Sequence, residues 1–152
     1  MPELPEVQTT VKGLQILISN EITNIIIYST KLRYNIPYKI HKALKHNEIL
    51  KIYRVGKYIL FNLKYNYSLI FHLGMSGRLR VVKLSKFIKK KHDHFVLMTK
   101  KDILIFNDLR KFGFIDLLNT NEIYKKNYIS RLGMDALDKR LNEKYLQGKI
   151  LK

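Results

Sequence analysis

The beginning of the chain holds residue types that can do covalent chemistry, a proline at position 2 followed by glutamates at positions 3 and 6. Pro is a small second residue, so we expect Met1 to be removed, which leaves Pro2 with a free secondary amine. An α-amino group has a pKa of about 7.7–8.0 against about 10.4 for lysine, so part of it is neutral and nucleophilic at physiological pH. A secondary amine that condenses with a sugar aldehyde carbon stays a cationic iminium, which is an electron sink for elimination chemistry.

Glu3 and Glu6 lie within reach of such a terminus and are suited to proton transfer. They also have a purely structural interpretation, because Pro and Glu are common in the first turn of a helix. A helix starting near Pro5 would bring its positive end close to the amine, favouring the neutral form and attracting phosphate. The spacing alone therefore leaves open both a nucleophilic site and an ordinary helix start.

Most of the remaining chain is patterned for β-structure. Short segments rich in Ile, Val, Tyr and Phe, separated by Asn, Gly, Asp or Lys, are typical of strands. We predict strands over residues 22–28, 48–55, 58–63, 69–73, 78–82, 95–99, 103–107 and 114–118. Eight short strands at this spacing predict a mainly β fold with flanking helices, either a two-layer β-sandwich or a barrel.

Two segments in the first third of the chain are patterned for helix. Residues 6–18 carry one apolar stripe made of Val7, Val11, Leu14 and Ile18. Residues 40–44 predict a single short turn. From residue 121 onward the β pattern is lost, and residues 139–146 are typical of a helix. We therefore expect one domain over residues 1–130, and the linker and first helix of a second domain over residues 131–152.

The composition favours a polyanionic partner. The 152 residues include 29 Lys plus Arg against 12 Asp plus Glu, a formal charge of +17. Basic side chains that neutralise phosphates gain from counterion release. The excess of 22 Lys over 7 Arg, together with many Ile and Asn, is also the amino-acid composition expected of a gene biased toward AT-rich codons. Nucleic acid is the favoured interpretation, codon bias the second, and a membrane surface a distant third.

Several classes of protein are excluded by what the sequence lacks. It has no Cys, so it has no disulfide, no thiol nucleophile and no Cys-ligated zinc site. No apolar run approaches the about 18 residues of a membrane span, and the start is acidic where a signal peptide would be basic. We expect a soluble intracellular protein of the cytoplasm or nucleoid, with no membrane partner.

The string from Pro2 to Val7 resembles the start of the formamidopyrimidine-DNA glycosylase and endonuclease VIII family. These are base-excision repair enzymes whose mature N-terminal proline is the nucleophile. Further strings resemble family segments in the expected order: Leu32-Arg33 with Ile36-Pro37 a strand end, 55–61 the Gly-Lys strand, 72–79 the central loop, 91–94 the His-Asp-His segment and 108–113 the intercalation loop. The resemblance implies a two-layer β-sandwich of the type found in the family's N-terminal domain.

The resemblance also implies roles for residues near the terminus. Pro2 attacks the sugar C1′ of a damaged nucleotide, while Glu3 protonates a leaving or ring oxygen and shuttles protons for β- and δ-elimination. Glu6 holds part of the damaged base or the helix start. Lys57, expected on a strand, contacts phosphates beside the lesion, although an ordinary exposed strand lysine is the alternative.

Other matched residues would handle the DNA duplex. Met75, Arg110 and Phe112 match the family's fillers of the void left by a flipped nucleotide, and His72 and His92 match DNA-binding positions. Without the resemblance, Met75 and Phe112 would be more typical of a core, and His72 fits a core or a phosphate-facing position equally well. Met75 and Phe112 resemble the branch that removes oxidised purines, namely 8-oxoguanine and formamidopyrimidines.

The sequence also departs from the family pattern. Gln8 stands where a third Glu is common, and Lys111 where Arg is frequent. Family members continue into a helix-two-turn-helix domain and a Cys-ligated zinc finger, whereas 132–137 and the following helix resemble only the beginning of that region. We therefore expect no cofactor in this chain, damaged double-stranded DNA as partner, and a monomer. A non-catalytic remnant that binds damaged DNA is the main alternative, and a basic RNA-binding protein is a minor one.

Overall fold

The computed structural model describes residues 2–133, 144 and 147–148. The strands are β1 Asn24–Ile27, β2 Ile49–Val55, β3 Tyr58–Leu63, β4 Tyr67–His72, β5 Gly77–Lys83, β6 Asp93–Met98, β7 Asp102–Asp108 and β8 Phe114–Asn119. The helices are α1 Leu4–Leu14, α2 Ile40–Leu44 and α3 Asn127–Ser130, with 3₁₀ turns at Gln15–Leu17, Leu84–Lys86 and Thr120–Lys125.

The strands form two four-stranded sheets. Sheet one has the order β1-β6-β7-β5 and sheet two the order β2-β3-β4-β8, and every pairing is antiparallel. The main core fills the space between them and includes Phe61 and Phe71 of sheet two with Phe95 and Phe106 of sheet one. The predicted two-layer β-sandwich is therefore confirmed, and the barrel alternative is not.

Helix α1 closes one side of the sandwich, packing against β2, β3 and β5. It starts two residues earlier than predicted, at Leu4, because Glu3 serves as its N-cap. The predicted stripe is also corrected at its end. The chain tightens into the 3₁₀ turn after Leu14, so Leu17, three residues on, is fully buried, whereas Ile18 is only partly buried.

Two strands begin at other residues than predicted, and hydrogen bonds explain each difference. β1 begins at Asn24 rather than at residue 22, because the Ile22 N–H donates to the Asn47 carbonyl instead of to β6. β6 begins at Asp93 rather than at residue 95, although Asp93 is polar. Its carboxylate accepts hydrogen bonds from Arg80 and Asn107, which compensates its burial inside the sheet.

Two connections pass between the sheets side by side. Residues 73–76 lead from β4 in sheet two to β5 in sheet one, and residues 109–113 lead from β7 in sheet one back to β8 in sheet two. Their ends are paired as well, since His72 is opposite Phe114 and Gly77 is opposite Asp108. We call these segments the 73–76 crossover and the 109–113 crossover.

The segment after β8 covers the outer face of sheet two. Ile123 and Ile129 pack there against Leu60 and Ile70. The expected loss of β pattern from residue 121 is confirmed for the described part of the segment. The proposed second-domain region and its helix over 139–146 lie outside the described residues, apart from isolated positions. No helix in the part of the chain that the structure describes is long and apolar enough to cross a membrane.

Candidate active site

The acidic start of the chain is organised by the first turn of α1. The Glu3 backbone N–H donates to the Glu6 carboxylate over 2.9 Å. The Glu3 side chain is mostly exposed, and its Oε2 lies 3.4 Å from the Lys57 Nζ. Glu6 therefore holds the helix start, one of its two expected roles, and Glu3 lies between the terminus and a lysine.

Lys57 is not on a strand, which corrects the prediction. Gly56 and Lys57 form the two-residue turn between β2 and β3, and Gly56 has a φ of +59°. A hairpin turn this short requires left-handed backbone, which Gly adopts without strain. The Lys57 side chain is 28% exposed, so it is largely covered by its neighbours and directed at Glu3 rather than extended into solvent.

A cavity of about 610 Å³ opens between the start of α1 and the 73–76 crossover. Its size falls within the range of about 300–1,000 Å³ typical of small-ligand sites. The lining combines apolar side chains with one acidic residue, Glu6, and one positively charged residue, Arg78. It consists of Pro2, Glu6, Thr10, Leu73, Met75, Ser76, Gly77, Arg78 and Leu79. The expected nucleophile is thus at the wall of a cavity that also contacts an expected void filler.

His72 is partly buried in an aromatic environment beside this cavity. Its ring stacks on Phe114 with centroids 5.3 Å apart and an interplanar angle of 12°, and Tyr58 lies on another side at 5.0 Å. The Gly74 N–H donates to its Nδ1 over 3.1 Å, so Nδ1 is unprotonated. Burial, and then the charges of Arg33 and Lys57, lower the pKa of His72. The neutral imidazole keeps Nε2–H as a donor.

Met75 and Phe112 are on the surface, at the tips of the two crossovers. Their exposed fractions are 43% and 46%, so the core interpretation is wrong for both. The Arg110 guanidinium lies over the Phe112 ring, 5.0 Å from its centroid. Such a contact is a cation–π interaction, which stabilises the relative position of these two exposed side chains. The molecule therefore presents two apolar side chains and a cation at one end of the sandwich.

His92 lies at the base of the 109–113 crossover. Its backbone has a φ of +68°, and its carbonyl accepts a hydrogen bond from the Asp108 N–H over 3.0 Å. The ring is 6.4 Å from that of His94. The structure therefore brings His92 next to the crossover with Arg110.

Sequence reasoning missed two residues that organise this end of the molecule. Asp108 is fully buried, and its carboxylate binds Ser76 and Gly113. An aspartate after a strand is usually a solvated turn residue, so its burial was not expected. Ser76 and Asp108 both lie in matched strings, 72–79 and 108–113, but neither string indicates that the two side chains meet.

These residues do not supply ligands for the zinc that the family resemblance implies. The chain has no Cys, and within the described residues no three His, Asp or Glu side chains are grouped so that they could hold a metal ion. No step of the chemistry below is routed through a metal.

Fold and site together define a two-sheet sandwich domain with Pro2 at the wall of a cavity beside a connection between its sheets. Residues 1–115 match the family model described as formamidopyrimidine-DNA glycosylase N-terminal domain. The chain belongs to that family.

Relatives agree with this assignment along the whole chain. Formamidopyrimidine-DNA glycosylase of Zymomonas mobilis is 38% identical over 152 residues, covering 99% of this chain and 55% of the relative. The Rickettsia felis protein of the same name is 37% identical over 153 residues, covering 99% and 55%. The chain thus spans about half the length of these relatives.

A solved structure with the same fold is the complex between the Lactococcus lactis Fpg and DNA containing an abasic site. It is 29% identical, with a TM-score of 0.88, and the match covers 99% of this chain and 57% of that one. The Lactococcus lactis protein has also been crystallised with DNA containing FAPY-dG, again with a TM-score of 0.88.

Proposed function

We propose that this chain is a DNA glycosylase with AP lyase activity, which removes oxidised purines from double-stranded DNA through an iminium formed on Pro2. The observation that carries the proposal is the position of Pro2 at the wall of the cavity shared with Met75, next to the Glu3–Lys57 pair. Pro2 thus shares this cavity with the void filler Met75, and it shares a second, smaller pocket with Lys57, the cation that pairs with Glu3. The names of the relatives and the abasic-site complex support the same chemistry.

Base removal begins at the amine exposed by loss of Met1. The Pro2 nitrogen donates its lone pair to C1′ of a nucleotide in the cavity, and the bond from C1′ to the base breaks, with the pair leaving on the base. Glu3 takes the proton from the new ammonium and delivers it to the ring oxygen O4′. The C1′–O4′ bond then opens, and the nitrogen lone pair completes the C1′=N⁺ iminium.

Strand cleavage follows because the iminium withdraws electrons. Glu3, again a carboxylate, takes a proton from C2′ while the electrons move toward the iminium nitrogen. The C3′–O bond then breaks, its pair leaves on the oxygen of the 3′-phosphate, and Glu3 passes its proton to solvent. An equivalent loss at C4′ breaks the C5′–O bond and releases the second phosphate. Water hydrolyses the remaining iminium and regenerates Pro2. Lys57, 3.4 Å from Glu3, stabilises the carboxylate between proton transfers and contacts a flanking phosphate.

Other residues bind the duplex while the damaged nucleotide is outside the stack. Met75 and Phe112 fill the void, and Arg110 hydrogen-bonds the orphaned base. The neutral His72 donates its Nε2–H to a phosphate, a role that its accepting Nδ1 supports. His92, at the base of the 109–113 crossover, contacts the backbone further along.

The test uses the full 152-residue chain with Met1 removed and a duplex that carries one 8-oxoguanine or formamidopyrimidine in an end-labelled strand. The expected result is cleavage at the lesion that leaves phosphates on both sides of a one-nucleoside gap. The same duplex with undamaged guanine is the control and should stay intact. Absence of cleavage both at the lesion and at a preformed abasic site would overturn the proposal.

A further inference from the structure

One buried carboxylate joins the two crossovers. Asp108 is 0% exposed. Its Oδ1 accepts a hydrogen bond from the Ser76 hydroxyl over 2.6 Å, and its Oδ2 accepts one from the Gly113 N–H over 2.8 Å. The Ser76 oxygen in turn accepts a hydrogen bond from the Arg110 N–H over 3.0 Å. Ser76 is therefore tied both to the end of β7, through Asp108, and to the 109–113 crossover, through Arg110. The third hydrogen bond holds the far end of the 109–113 crossover on the same carboxylate.

The backbones of the crossovers also touch. Gly74 has a φ of +60°, and a Cβ built on it would lie 2.4 Å from the Gly113 nitrogen and 2.4 Å from the Phe112 carbonyl carbon. A Cβ on Gly113 would lie 2.6 Å from the His72 carbonyl oxygen. No side chain separates the two segments there, so movement of one displaces the other.

Asp108 is itself fixed from the opposite side. Its N–H donates to the His92 carbonyl over 3.0 Å, and its own carbonyl lies 2.8 Å from the His94 Nε2. A carbonyl only accepts hydrogen bonds, so His94 Nε2 carries the proton. The backbone at Asp108 is thus tied to β6 on this side. The carboxylate thus extends from a backbone that is hydrogen-bonded to His92 and His94 and not only to the crossovers.

We propose that Asp108 and Ser76 are positioning residues that couple the two crossovers, so that Met75 enters the duplex only together with Arg110 and Phe112. The inference rests on the proposed function, because it concerns how that site opens DNA. Unstacking a base step costs a few kcal/mol. Exposed side chains on two independent loops would be displaced by the stacked bases instead of separating them. Hydrogen bonds to a carboxylate are roughly twice as strong as neutral ones, which suits this anchor.

The test compares trapping of an abasic site by borohydride in duplex and in single-stranded DNA. A single strand has no stack to open, so the ratio of the two rates reports void filling rather than the chemistry at Pro2. Ser76→Ala removes the link, and Ser76→Thr keeps the hydroxyl. Asp108→Asn is a second variant. It replaces one of the two accepting carboxylate oxygens with an NH₂ group, which can only donate, so one of the two hydrogen bonds is lost.

Ser68→Ala is the matched control. The Ser68 hydroxyl also makes two hydrogen bonds, to the Asn62 amide oxygen and the Thr120 hydroxyl, both of 2.9 Å, near the end of β4 remote from His72. Ser68 is fully buried, whereas Ser76 is partly buried. A loss of stability alone would therefore affect Ser68→Ala at least as much as Ser76→Ala.

We expect the duplex-to-single-strand ratio to fall about tenfold in Ser76→Ala and in Asp108→Asn, as expected for lost hydrogen bonds to a charged group. Ser76→Thr should recover most of the ratio, and Ser68→Ala should leave it unchanged. Equal ratios in wild type, Ser76→Ala and Asp108→Asn would overturn the coupling while leaving the proposed function intact.

A second readout separates the two proposals. A 2-aminopurine opposite an uncleavable abasic analogue fluoresces more when it is unstacked, and saturating wild-type protein should raise its signal. We expect Ser76→Ala to lose most of that rise at saturation, and a full rise would overturn the coupling. If wild type traps neither abasic substrate, the proposed function fails, and this fluorescence result alone decides the coupling.

Discussion

The Gly74 N–H donates a hydrogen bond to the Nδ1 of His72 over 3.1 Å, and this contact fixes which form of the imidazole the fold accepts. A protonated ring would carry a hydrogen on Nδ1, facing the Gly74 N–H. The 73–76 crossover, which carries Met75, is thus attached to a histidine that has to stay neutral. The stack on Phe114 and the burial of the ring act in the same direction.

Acidification should therefore weaken the fold through His72. Its pKa is lowered in the folded state, first by burial, so the unfolded chain binds the proton first as the pH falls. The contribution of His72 to stability is full above about pH 6.5 and is lost below it. Urea unfolding at about pH 7.5 and 5.5 should show a larger loss for wild type than for His72→Asn. Equal losses in the two proteins would contradict this.

Two glycines should respond to alanine in opposite directions. Gly74→Ala places a Cβ against the Gly113 and Phe112 backbone and keeps a positive φ, so we expect a loss of at least about 2 kcal/mol in unfolding free energy. Gly13, within α1, has nothing within 4 Å of a built Cβ. Gly13→Ala should stabilise the protein by about 0.5 kcal/mol. Thermal unfolding measures both, and a neutral Gly74→Ala would refute the close contact.

Phe112 should matter for DNA and not for folding. Its side chain is 46% exposed, whereas Phe106 is fully buried in the main core. Phe112→Ala should change the unfolding free energy by less than about 1 kcal/mol, while Phe106→Ala should cost about 3–5 kcal/mol. Phe112→Ala should also weaken binding to a duplex with an abasic analogue, measured by titration. A large stability loss in Phe112→Ala would show that the ring belongs to the core.

Neutralising Glu3 should affect catalysis far more than stability. Glu3→Gln keeps the size of the side chain but cannot carry the proton from Pro2 to O4′, so we expect opening of the sugar ring, and the excision of the nucleotide that depends on it, to slow by about a hundredfold or more. The Glu3–Lys57 pair is largely exposed on the Glu3 side, so its loss should change stability by less than about 1 kcal/mol. Single-turnover excision and urea unfolding measure the two effects.

Glu21→Gln is the control for this substitution. Glu21 is also exposed and paired, with His46 at 3.2 Å, and it lies beside the start of β2, whereas Lys57 follows the end of that strand. Excision by Glu21→Gln should equal that of wild type. If both variants slow excision equally, the effect of Glu3→Gln arises from the overall charge and not from proton transfer.

The sequence predicted the eight strands because they are short, apolar and regularly separated, with errors of one to two residues where backbone hydrogen bonds go elsewhere, as at Ile22. That pattern left both a sandwich and a barrel open, and the family resemblance indicated the two-layer sandwich. The predicted strands 48–55 and 58–63 already leave residues 56–57 as a break, which is the observed turn. Lys57 was placed on a strand only because the matched string 55–61 was taken as one continuous strand.

The exposure of Met75 and Phe112 could not be predicted from residue type, since both are apolar. Only the resemblance to a family indicated a surface role. The burial of Asp108 had no local signal either, because it depends on Ser76 and Gly113 from separate segments. Contacts between the two crossovers arise from the path of the chain between sheets, which strand patterns do not encode.

The most direct test of the account is borohydride reduction of the processed chain with a duplex containing an abasic site, followed by proteolysis and mass spectrometry of the adduct. Reduction converts the iminium into a stable amine, so the modified peptide identifies the nucleophile. We predict one deoxyribose remnant on the peptide that begins at Pro2, and none with protein that retains Met1. An adduct on a lysine peptide instead, or no adduct at all, would contradict the central claim.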